Sequence, residues 1–73
     1  MTNAERADAA LIALDRYYID KDGPGNRPVE MGEIQEAMID LIADLKHLAH
    51  REGIDFNAVL RMAGQHCFEE AGA

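Results

Sequence analysis

Between Ile34 and Arg51 apolar side chains recur in steps of three and four, and this one segment limits the fold more than any other. At about 100° per residue, Ile34, Met38, Leu41, Ile42, Leu45, Leu48 and Ala49 gather within about 120° of a helix surface. So broad an arc lets one helix touch two neighbours, which places the segment at the centre of an all-α, three-helix bundle. On the opposite side stand Glu33, Glu36, Asp40, Asp44, His47 and Arg51 in a narrow stripe. Glu36 with Asp40, and Asp40 with Asp44, are like charges four residues apart, each pair costing roughly 0.2–0.5 kcal/mol. The helix dipole favours Glu33 and Glu36 at one end and His47 and Arg51 at the other. It does nothing for Asp40 in the middle.

The chain has 73 residues, which is expected to form one domain over 1–73. A chain this short buries only about 60% of its unfolded surface, so tight helix packing or self-association has to supply stability. Seven basic residues against fourteen acidic give a net charge of −7. Phosphate recognition needs clustered Lys and Arg, so neither nucleic acid nor an anionic membrane surface is expected as a direct partner. The single cysteine, Cys67, cannot form an internal disulfide and fits a reducing compartment. With no basic leader and no apolar run approaching a membrane span, a cytoplasmic, soluble protein is expected. An apolar content of 48% is enough for a core and argues against a disordered acidic tail.

Taken in order, Thr2-Asn3-Ala4-Glu5 has the form of a capping box, so a first helix is expected over about residues 3–19. Ala4, Ala7, Ala10, Leu11, Leu14, Tyr17 and Tyr18 share its inner face, with the alanines permitting close approach. Ile12 and Ile19 fall outside that arc and read as scattered surface residues or as the edge of a second contact. From Asp20 to Pro28 turn formers dominate, predicting a loop of about ten to twelve residues, long for a helical hairpin. No phosphate-binding glycine pattern occurs there, and Asp20, Asp22 and Asn26 lack the register of a calcium loop. The second helix is expected over about 31–52. Gly53 followed by Ile54 is a Schellman stop, and Asp55 an N-cap for a third helix over about 56–70. Phe56, Val59, Leu60, Ala63, His66 and Cys67 share a face of that helix, while Phe68 points elsewhere, beside Arg61. Gly64 in its middle costs about 1 kcal/mol relative to Ala and suggests a close approach.

Chemistry-bearing residues are few. Asp44-x2-His47-x2-His50 offers zinc-ligating groups, but the two histidines diverge by about 60° and no second tight pair accompanies them. His66 and Cys67 are adjacent and diverge by about 100° on a helix, so they cannot form a nucleophile and base pair. No catalytic set and no cofactor motif is assigned. Glu33-x-x-Glu36 resembles half of the carboxylate signature of the all-α nucleoside triphosphate pyrophosphatases of the MazG kind, which hold magnesium between an ExxE and an ExxD on successive helices. Here Asp40 and Asp44 continue the same helix, and the third helix offers only Glu69-Glu70. The resemblance implies Glu33, Glu36, Asp40 and Asp44, with His47 beside them, as candidate ligands for magnesium or manganese. The block Asp40-Leu41-Ile42-Ala43-Asp44-Leu45-Lys46-His47, followed by Glu52-Gly53-Ile54-Asp55-Phe56, resembles small bacterial and prophage-associated proteins carrying DLxxDLxH and then GxDF. That likeness implies a compact helical protein of bacteria or their mobile elements and carries no chemistry.

Two function classes follow. The first is a small protein–protein interaction module, as a homodimer or with another protein, whose candidate interface residues are Glu36, Asp40 and Asp44 on the acidic face and Ile12, Ile19, Ile39 and Phe68 off the core faces. One form of it is an acidic inhibitor that imitates nucleic acid. The second is a metal-dependent enzyme or metal carrier built on the same acidic face.

Overall fold

The computed structural model describes residues 1–23 and 32–71 and consists of helices. They are α1 (Asn3–Asp22), α2 (Ile34–Arg51) and α3 (Phe56–Ala71), with no strand among the described residues. The all-α, three-helix arrangement expected from periodicity is therefore the one found. Contacts cluster into two compact units, Met1–Ala43 and Asp44–Ala73, and their boundary falls inside α2.

In the first unit, α1 begins at a complete capping box. The Thr2 hydroxyl accepts from the Glu5 N–H and the Glu5 carboxylate accepts from the Thr2 N–H, each at 3.1 Å. Hydrogen bonding from the Thr2 N–H, and after it from the Thr2 side chain, holds the Glu5 carboxyl below its ordinary value. The helix runs to Asp22 rather than stopping near Ile19, and two local interactions account for the extra turn. Arg16 pairs with Asp20 one turn on, at 3.1 Å, and the Lys21 ammonium lies 5.3 Å and 5.5 Å from the ring centres of Tyr17 and Tyr18. Gly23, at φ +94°, ends it by donating its N–H to the Ile19 carbonyl. The residues from Pro24 to Met31 lie outside the described ones, and with them most of the expected loop. Beyond it, α2 starts at Ile34, about three residues later than expected, because Gly32 sits at φ +68° and breaks the helical path before it.

Burial in this unit departs from the sequence reading. Leu14 is buried, and Leu11, Tyr17, Tyr18 and Ile19 are half-buried, but Ala4, Ala7 and Ala10 are all exposed. On the part of α2 in this unit, Leu41 of the expected arc is half-buried, and the buried residue is Ala37, only 2% exposed, which was not part of that arc. With Ile34 as origin, that arc centres at about 20° and Ala37 lies about 80° from its centre, toward the acidic stripe.

The second unit is defined by its turn. Ile54 N–H donates to Ala49 C=O at 2.8 Å and Gly53 N–H to His50 C=O at 3.3 Å, with Gly53 at φ +69°. These are the two bonds of a Schellman motif. Asp55 then caps α3, its Oδ1 accepting from the N–H groups of Asn57 and Ala58 at 3.0 and 3.3 Å. Ala49 is buried and Phe56 and Ala58 are half-buried around the turn. From Val59 to Glu70 every side chain of α3 is exposed, so Val59, Leu60, Ala63, His66 and Cys67 do not form the covered face that their spacing predicts. Among the described residues no helix is long and apolar enough to cross a membrane.

Candidate functional site

Among the described residues α2 presents two distinct surfaces, and the acidic stripe is the first. Glu33 flanks the helix start, accepting the Ala37 N–H through its carbonyl at 2.9 Å, and Glu36, Asp40, Asp44 and His47 follow at helical spacing, all exposed. Helix α1 reaches this stripe inside the first unit. The Tyr18 hydroxyl donates to Asp40 Oδ2 at 2.5 Å, so the middle carboxylate already has a proton donor. The bond to Asp40 pushes the Tyr18 hydroxyl up to about 12, with partial burial and the charges of Asp40, Asp22 and Glu33 adding to it. A tyrosine that keeps its proton is a neutral donor placed between the charges of the stripe.

Docking at the edge of the arc explains the displaced core. Ala37 is one turn before Asp40 on the same side, so the helix surface that α1 reaches is the boundary between apolar and acidic sectors. Asp15, half-buried on α1, has a buried Oδ1 with no hydrogen-bond partner among the described residues. Leaving such an oxygen unmet costs about 1–3 kcal/mol.

The apolar arc is the second surface. Ile34, Met38, Ile42, Leu45 and Leu48 are each between 39% and 52% exposed, although their spacing marks them as a core face. Of the residues read as off-core, Ile12 and Phe68 are 70% and 79% exposed, Ile39 is exposed, and Ile19 is half-buried. Near the turn, Lys46, His50, Ile54, Asp55, Phe56 and Asn57 line a shallow recess, and a second, apolar recess follows Ile54, Ala58, Val59, Met62, Ala63 and His66 along α3. Cys67 is exposed with a free thiol.

No three His, Cys, Asp or Glu side chains among the described residues come together as a metal cluster, so Glu33, Glu36, Asp40, Asp44 and His47 share a stripe without converging on a point. A rod spreads residues four apart over about 6 Å per step, and a metal site needs a second element to close around it. Sequence reasoning missed Tyr18 and Ala37. The signal for Ala37 was a small residue set among large ones, while Tyr18 comes from 22 residues away and left no local trace. No protein-family model, curated protein or solved structure matches the chain.

Proposed function

We propose that this chain is a small helical protein–protein interaction module whose partner covers the apolar arc of α2. The observation that carries the reading is the exposure of Ile34, Met38, Ile42, Leu45 and Leu48 at core-type spacing. An exposed large apolar residue taken singly is ordinary; a continuous stripe of them along one helix marks a binding face. Covering about half of each side chain contributes about 1 kcal/mol per residue at the usual transfer value. The net charge of −7 keeps such a surface soluble and turns away nucleic acid. Imitation of nucleic acid by the acidic stripe is the weaker form of the idea, because Tyr18 engages its central carboxylate.

A photo-cross-linking residue placed at Ile42, and separately at Glu36, tests this in the source cell. The expected result is a protein adduct at position 42, lost when Met38→Gln and Leu45→Gln are added. Adducts at position 36 alone would move the interface to the acidic stripe. Absence of any adduct at position 42 would overturn the proposal.

A further inference from the structure

We draw no further inference here: the strongest candidate, the exposed face of α3 around Leu60, Gly64 and Phe68, is an unpartnered apolar surface, and nothing in the structure shows what covers it.

Discussion

Ionising Tyr18 should loosen the contact between α1 and α2 in a defined range of pH. The hydroxyl donates to Asp40 at 2.5 Å and is pushed from 10.0 to about 12, so the folded state holds that proton more tightly than the unfolded chain does. The stability it contributes is therefore complete below pH 10 and is lost as the pH rises from 10 through about 12. At pH 11 a tyrosine of ordinary value is about nine-tenths ionised, and Tyr18 only about one-tenth. Once the proton leaves, a phenolate faces a carboxylate with nothing to share. Tyrosinate absorbance, recorded for the wild type minus Tyr18→Phe, isolates this one residue whatever Tyr17 does. The difference should titrate near 12 in the folded protein and near 10 in denaturant. Because the bond to Asp40 is the largest cause, Asp40→Ala should return most of the shift, and Asp22→Asn a small part. A folded-state midpoint near 10 would refute the account of the acidic stripe as bridged by α1.

Two stability predictions accompany it. Gly53→Ala, at φ +69° with open space around it, should destabilise the second unit by about 1–2 kcal/mol through backbone strain alone, read as faster amide exchange across Ala49–Ala58; unchanged exchange would count against the Schellman stop. Leu14→Ala should cost about 2–5 kcal/mol in chemical denaturation because the side chain is buried, whereas Met38→Gln should stay within about 0.5 kcal/mol because its side chain is half exposed. Equal losses for the two would mean that Met38 is covered in solution.

The parts of this fold that can be read from sequence are those encoded locally. Thr2 with Glu5, and Gly53 with Ile54 and Asp55, act over two to five residues, and their hydrogen bonds appear where the spacing puts them. The far end of α1 was missed because its turn formers are also good partners one turn back: Asp20 for Arg16, and Lys21 for the two tyrosine rings. Periodicity located the apolar sector of α2, in which Leu41 is half-buried and Ala49 buried, but not Ala37, which is covered beside the point that Tyr18 reaches. The same limit applied to the candidate site. The angular stripe of Glu36, Asp40 and Asp44 followed from helix geometry, while the donor at its centre did not.

An exposed core-type face has a thermodynamic consequence for a chain of this length. A core in a domain of about 70 residues rarely supplies more than about 3–5 kcal/mol of net stability. Covering the five half-exposed arc residues of α2 contributes about 5 kcal/mol in gross terms. Cover of that size must offset the entropy of association before any of it appears as affinity, so affinity and folding draw on the same contacts. Whatever seats on the arc therefore raises the stability of the helices presenting it by mass action. Helix α3, whose side chains from Val59 to Glu70 are all exposed, has little covered surface holding it in place. It is the element whose order should respond most to binding, and Gly64 lowers its intrinsic helicity further. On the proposed interaction reading, partner capture would be coupled to helix formation, and the exposed apolar face would be required for that coupling.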